Sequence, residues 1–252
     1  MMPNTSSCKN WFDAGGGNYA RFRPEYPLEL VRFLAEIAPA HARAVDVGCG
    51  NGQLSALLAT KFDEVVGLDP SADQIAHVTL HRHIRYLCAP AEALPLPDHS
   101  ADLITAAQAA HWFNLTAFYS EVRRVATDGA VIALISYGVL QLDGLLGKRF
   151  DRFYRNEIGP YWPPERKLVD EGYRDLIFPF EERPVPKMMI NRDWNLDEFL
   201  GYISTWSAVR RAKDAGKTNI LTHFASDIAN MWGIPATKRL VTWPINMRIG
   251  TL

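Results

Sequence analysis

What the chain holds little of narrows it first. Its 252 residues include only three cysteines, Cys8, Cys49 and Cys88, odd in number and far apart. That argues against a disulfide framework and fits a reduced, cytoplasmic setting. Net charge is −1, from 27 basic and 28 acidic residues, with no block of one sign. Neither a nucleic acid nor an anionic membrane surface is therefore expected as a partner. No apolar run approaches the ~18 residues of a membrane span, and the first dozen residues lack a basic-then-apolar signal pattern. His77, His81 and His83 bunch together, but without the acid or cysteine partners of a metal-binding motif, so no metal is expected.

What remains is an ordinary globular composition, 48% hydrophobic and 22% charged, long enough for one large α/β domain. The chain is arranged around one stretch, Ala44-Val45-Asp46-Val47-Gly48-Cys49-Gly50-Asn51-Gly52-Gln53-Leu54. An apolar run carrying an acid passes into three glycines at alternate positions, after which Leu54, Leu57 and Leu58 take up helical spacing. Strand, tight loop and helix follow, with main chain left open to a ligand. A dinucleotide fingerprint would space its glycines G-x-G-x-x-G around a pyrophosphate. Here Gln53 stands where that spacing fails, and Asp46 suits a cationic ligand better.

Glu64 to Asp69 reads as a second buried strand ending on an acid, 17 positions past Gly52. An acid there can accept both hydroxyls of a ribose, because its two oxygens match a vicinal diol. Pro70-Ser71 opens a helix with Ser71 as N-cap and Ala72, Ile75, Ala76 and Thr79 facing inward. Ile84 to Cys88 is a third strand, and Asp102 to Ala106 a fourth that runs into Gln108-Ala109-Ala110-His111-Trp112-Phe113. His111 is the titratable group of that cluster, either a base or a structural histidine. A helix from Leu115 is expected to stop at Asp128-Gly129, before a fifth strand over 130–136. Alternating strands and helices imply a doubly wound parallel sheet.

On either side of this pattern the chain changes character. Residues 1–18 read as a mobile arm, and Tyr19-Ala20-Arg21-Phe22-Arg23-Pro24-Glu25-Tyr26-Pro27 as a rigid lead-in or a flap over the site. Residues 138–182 form a helical lid insertion, rich in aromatics and carrying Arg149, Arg152, Arg155, Arg166, Lys167 and Arg174. The rest of the core is 19–137 with 183–252. An edge strand is expected over 185–190, a helix from Leu196 continuing through Trp206, and a final strand over 239–249 interrupted by Pro244.

Asp46-Val47-Gly48-Cys49-Gly50-Asn51-Gly52 resembles motif I of the class I S-adenosylmethionine-dependent methyltransferases. Ala91-Glu92-Ala93-Leu94-Pro95-Leu96-Pro97-Asp98 resembles the family's A-E-x-L-P-h-x-D segment, which contacts adenine. The resemblance implies a Rossmann-like, mostly parallel seven-stranded sheet, its last strand antiparallel between the fifth and sixth, where Pro244 sits awkwardly. It implies S-adenosyl-L-methionine as cofactor, held by Asp46, Gly48, Gly50, Asn51, Gly52, Asp69, Pro70, Gln74, Ala91, Glu92 and Gln108. His111 is the candidate catalytic residue, and Tyr19, Arg23 and Trp206 are the candidate substrate contacts. The lead-in and the His111 cluster look closer to the trans-aconitate branch than to the ubiquinone/menaquinone branch. That implies a small-molecule substrate, methylated on a carboxylate oxygen, and a monomer or homodimer. Methylation of a quinone or phenol and cofactor binding without turnover remain as alternatives; Gln53 opposes an NAD-linked oxidoreductase.

Overall fold

A computed structural model describes residues 22–252; the arm and Tyr19 lie outside the described residues. Strand periodicity decides the centre of the molecule. In β5 (Ala126–Tyr137), Val131, Ala133, Ile135 and Tyr137 join one apolar cluster while Ala130, Ile132 and Leu134 join another. All are buried, so over residues 130–135 neither face meets water and the strand reads as an apolar run.

β1 (Arg43–Val47), β2 (Glu64–Asp69), β3 (Ile84–Cys88) and β4 (Ala101–Ala107) pair in parallel with β5 in the order β3-β2-β1-β4-β5. β8 (Arg239–Thr251) then lies antiparallel to β5. The doubly wound, mostly parallel sheet is therefore as expected, but among the described residues it has eight strands rather than seven. The outer position beside β8 is divided between β6 (Glu181–Glu182) and β7 (Met188–Trp194). Pro184 and Pro186 lie between them. Two residues without amide donors interrupt the ladder there and move the edge strand from 185–190 to 188–194.

Pro244 is accommodated for a related reason. In an antiparallel ladder a residue's N–H and C=O point to the same neighbour, and the Pro244 carbonyl accepts from Gly138 N at 2.9 Å. Gly138 follows the last β5–β8 pair, Tyr137 with Ile245. The missing donor thus falls where the ladder ends.

Among the described residues the helices are α1 (Leu28–Ile37), α2 (Gln53–Leu58), α3 (Ala72–Ala76), α4 (Leu115–Val125), α5 (Gly144–Arg152), α6 (Arg166–Asp170), α7 (Leu196–Ser204), α8 (Ser207–Asp214) and α9 (Thr218–Trp232). Three expectations change. α3 is a single turn that buries Gln74 and leaves Ala72, Ala76 and Thr79 exposed; the β-branched pair Val78-Thr79 does not favour its extension. α4 ends at Val125, and Asp128-Gly129 instead makes an excursion within β5, with Gly129 at φ 77° and a register shift opposite it. α7 does not run through Trp206. The Thr205 hydroxyl bonds back to the Tyr202 carbonyl at 2.6 Å, and Trp206 turns extended as the N-cap of α8.

The insertion is fastened to both faces of the sheet. Phe150, Phe153, Tyr154 and Ile158 pack in one cluster with Phe199, Trp206 and Phe224, while Val169 and Tyr173 join the other. No helix among the described residues is long and apolar enough to cross a membrane.

Candidate active site

The glycine loop leaves β1 with the amides of Gly48 and Cys49 both on the Leu68 carbonyl, at 2.7 and 3.0 Å. A Cβ at Gly48 (φ 71°) would lie 2.4 Å from the Ala109 Cβ, and one at Gly52 (φ 85°) 2.2 Å from the Tyr86 hydroxyl. Only glycine meets both the left-handed backbone and the close approach. Asn51 is half-buried between them.

Two acids support this loop. Asp69, at the end of β2, accepts the Gly50 amide at 2.8 Å and the Ser71 amide at 2.9 Å, and burial raises its pKa. Asp46 lies beneath the loop, accepting the hydroxyls of Ser55 at 2.6 Å and Thr105 at 2.9 Å. It therefore ties α2 to β4, and burial pushes its pKa to about 6. The sequence expectation aimed Asp46 at the ligand; the structure occupies both its oxygens with protein donors.

Gln74 supplies the clearest sign of a missing partner. Its amide is capped by Ser71 Oγ at 3.3 Å, whereas its side-chain Oε1 is buried without a hydrogen-bond partner. That oxygen is the nearest atom, at 3.8 Å, to a Cβ built on Gly50. Such an acceptor calls for a donor-bearing ligand. Together with Asp69 it makes an acceptor-rich cradle, fit for an ammonium group and a ribose diol rather than a pyrophosphate.

Pro70, after β2, is exposed, and beyond β3 Ala91 is buried. Glu92 Oε1 accepts the Asn114 amide at 2.7 Å, and Asn114 in turn caps α4. Glu92 thus clamps two loops together through one oxygen. The same segment is pinned by Arg124, which donates to the carbonyls of Leu94 and Leu96 at 2.8 and 2.7 Å.

A second cluster adjoins the loop through Ala109. Gln108 is held in the left-handed region (φ 54°), its amide on the Ile135 carbonyl and its Nε2 on the Tyr137 carbonyl at 3.0 Å. Non-glycine residues in this region gather at functional sites. His111 stands on a 3-10 turn, Ala110–Trp112, with Nδ1 2.9 Å from the Tyr173 hydroxyl. Burial, with the nearby Arg166 charge, lowers its pKa to about 3, so the ring is neutral. Arg23 Nη1 donates to the Tyr137 hydroxyl at 3.1 Å, and its guanidinium lies 5.6 Å from the Tyr202 ring. Trp206, buried, packs on Tyr154, Trp162 and Tyr202 with ring centroids 5.7, 5.2 and 5.5 Å away. The structure therefore sets His111 on Tyr173, which packs in the other cluster, and links Arg23 and Trp206 through Tyr202 in one aromatic cluster.

Arg166 belongs there too, although in the sequence it is one insertion cation among several. Its Nε donates to Asp170 Oδ1 and to the Tyr154 hydroxyl, both at 2.8 Å. The guanidinium lies 4.8 Å from the Trp162 ring. No sequence signal distinguishes it from Arg149 or Arg152.

Comparison with known proteins agrees with this architecture. Residues 45–134, which span β1 to β5, match the methyltransferase domain family. A Dictyostelium discoideum protein named as a methyltransferase is 32% identical over 224 residues, 87% of this chain and 85% of that one. A solved structure from Anaeromyxobacter dehalogenans, designated a type II methyltransferase, superposes with a TM-score of 0.86 at 44% identity, over 91% of this chain and 98% of that one. A malonyl-[acyl-carrier protein] O-methyltransferase of Dechloromonas aromatica is 31% identical over 141 residues, 54% of this chain and 52% of that one. With its acceptor-rich glycine cradle, the chain belongs to the class I S-adenosylmethionine-dependent methyltransferases of the small-molecule type, and S-adenosylmethionine is its cofactor.

Proposed function

We propose that this methyltransferase places its methyl group on an oxygen of a small carboxylic acid. The observation that carries the reading is His111. Its Nδ1 is engaged by Tyr173, and its pKa is lowered to about 3 by burial and then by Arg166, which makes it a weak base at neutral pH. An acceptor served by such a site must arrive already ionised, as a carboxylate does. The name of the Dechloromonas aromatica relative, an O-methyltransferase, points the same way for the accepting atom.

When bound, the cofactor supplies a methyl group already activated on a sulfonium. A carboxylate would accept that methyl group without giving up a proton, so the chain would need to supply no base. What the chain must do is hold the reacting atoms about 3–3.5 Å apart and in line and exclude water. In this proposal Gly48, Gly50, Asn51 and Gly52 let the cofactor approach the main chain. Asp69 takes the ribose hydroxyls on its remaining lone pairs, with Pro70 alongside, and Gln74 Oε1 takes a donor. Ala91 and Glu92 border the adenine, Gln108 borders the reacting centre, and Asp46 acts through the loop. Arg23 and Trp206, with Tyr19 outside the described residues, contact the substrate, and 138–182 covers it. His111 serves as an oriented neutral group.

The aromatic wall of Tyr154, Trp162 and Trp206 favours a second reading, transfer to a phenol or quinone. A methyl-labelled cofactor assayed against panels of carboxylic acids and phenols separates the two. The proposal expects labelled product that alkali releases as methanol, from carboxylic acids only. Alkali-stable product from phenols would overturn it, as would cofactor binding without turnover on either panel.

A further inference from the structure

The insertion cations divide by surroundings. Arg152, Lys167 and Arg174 pair with Glu157, Glu171 and Asp175 while their side chains stay 73, 74 and 75% exposed. Arg149 is wedged against Phe224 between Glu157 and Asp227. Arg166 is only 17% exposed. It is fixed at three points: Asp170, the Tyr154 hydroxyl and the face of Trp162. Both hydrogen bonds use Nε, and no described residue hydrogen-bonds its terminal nitrogens. A guanidinium held by one edge, with its two-nitrogen end open, is preorganised for an oxyanion.

The backbone is shaped to keep it there. Tyr154 stands in a π-helical turn, Phe153–Glu157, closed by Ile158 N on the Phe153 carbonyl at 2.9 Å. Such turns are rare and recur at functional sites. Its hydroxyl donates to Asp170 and accepts from Arg166. α6, which carries Arg166, packs against the turn that carries His111, and the Arg166 charge lowers the pKa of His111.

We infer that Arg166 is the anchor of the acceptor's carboxylate, hydrogen-bonding it from the terminal nitrogens, with Tyr154 and Asp170 as positioning residues. The inference rests on the carboxylate reading above. A carboxylate offers about four lone-pair sites, so an oxygen held by Arg166 leaves the attacking lone pair intact.

The test is titration of the protein loaded with S-adenosylhomocysteine, using sodium acetate, succinate and benzoate against sodium chloride at matched ionic strength. Trp162 and Trp206 provide a fluorescence signal, and saturation-transfer NMR on the carboxylate gives a second readout. Carboxylates should titrate the wild type, and Arg166→Gln should weaken them at least about tenfold, the loss of a charged hydrogen bond, without changing S-adenosylhomocysteine affinity. Arg166→Lys keeps the charge but loses the fork and should weaken them about threefold or more; it serves if the glutamine variant does not fold. Unchanged carboxylate binding in either variant removes Arg166 from the site and leaves the carboxylate reading standing. If no carboxylate titrates the wild type, that reading falls and the anchor with it.

Discussion

Asp46→Asn is the perturbation whose effect follows most directly from the structure. The carboxyl is 1% exposed, and burial raises its pKa from 3.8 to about 6. In the unfolded chain it ionises near its ordinary value, so between pH 4 and 6 the native state holds a proton that the unfolded state has released. Stability therefore falls as pH rises through this window. At about 1.36 kcal/mol for each pH unit, that rise is worth about 3 kcal/mol by pH 8, as an order of magnitude. Asparagine keeps the shape and removes the charge. Its amide end donates, however, so one of the Ser55 and Thr105 hydroxyls must turn, at about 1 kcal/mol. The variant should thus be about 2 kcal/mol more stable than the wild type at pH 8, roughly 4–8 °C in Tm for a domain of this size. At pH 4 it should be equal or slightly less stable. Asp69 is present in both proteins, so its own titration cancels to first order. Urea unfolding at half-unit intervals from pH 4 to 8 reads the difference directly. Parallel stability curves would refute the assignment of a buried, ionising Asp46.

Gly52→Ala meets a positive φ and the Tyr86 hydroxyl at once; it should lower stability by about 1–2 kcal/mol and S-adenosylmethionine affinity more than tenfold, and calorimetric affinity within threefold of wild type would count against the close-approach argument. Asp69→Asn has one acceptor for two amides, Gly50 and Ser71. It should cost about 1–3 kcal/mol in the loop and at least tenfold in cofactor affinity, whereas unchanged affinity by titration would remove Asp69 from the ribose. His111→Gln should keep turnover with a carboxylic acid within about tenfold of wild type. Because the His111 pKa lies near 3, kcat should show no inflection near pH 6.5, and a bell limb there that the variant abolishes would reinstate a base.

The candidate cofactor half of the site is legible in the sequence because its parts are local. Asp46, the three glycines and Asp69 fall within one strand–loop–helix–strand unit, and the constraint on each glycine is a backbone constraint that spacing alone reveals. Even here, long-range packing redirects two acids. Asp46 finds Thr105, 59 positions away, and Glu92 finds the amide of Asn114, 22 positions away. Neither partner leaves a trace in the motif that each acid belongs to. The alternation of parallel strands and helices was legible for a similar reason, since runs buried on both faces stand between helical stretches. The division of the outer strand and the break before Trp206 were less so, because each depends on what the neighbouring segment packs against.

The proposed substrate half depends on convergence instead. Arg23 reaches Tyr137 and Tyr202 from the start of the described chain, while Arg166 joins Tyr154, Trp162 and Asp170 from within the insertion. In the sequence these are cations among other cations and aromatics among other aromatics, and helical periodicity puts Arg149 on the same footing as Arg166. Burial separates them, together with the choice of nitrogen: Arg149 uses Nε and Nη2 on its carboxylates, whereas Arg166 uses Nε alone. A cofactor recognised largely through main chain imposes spacing on the sequence that carries it. A substrate recognised through side chains gathered from distant segments imposes only geometry, which explains why the donor can be read from the loop while the acceptor must be argued from the three-dimensional arrangement of Arg23, His111 and Arg166.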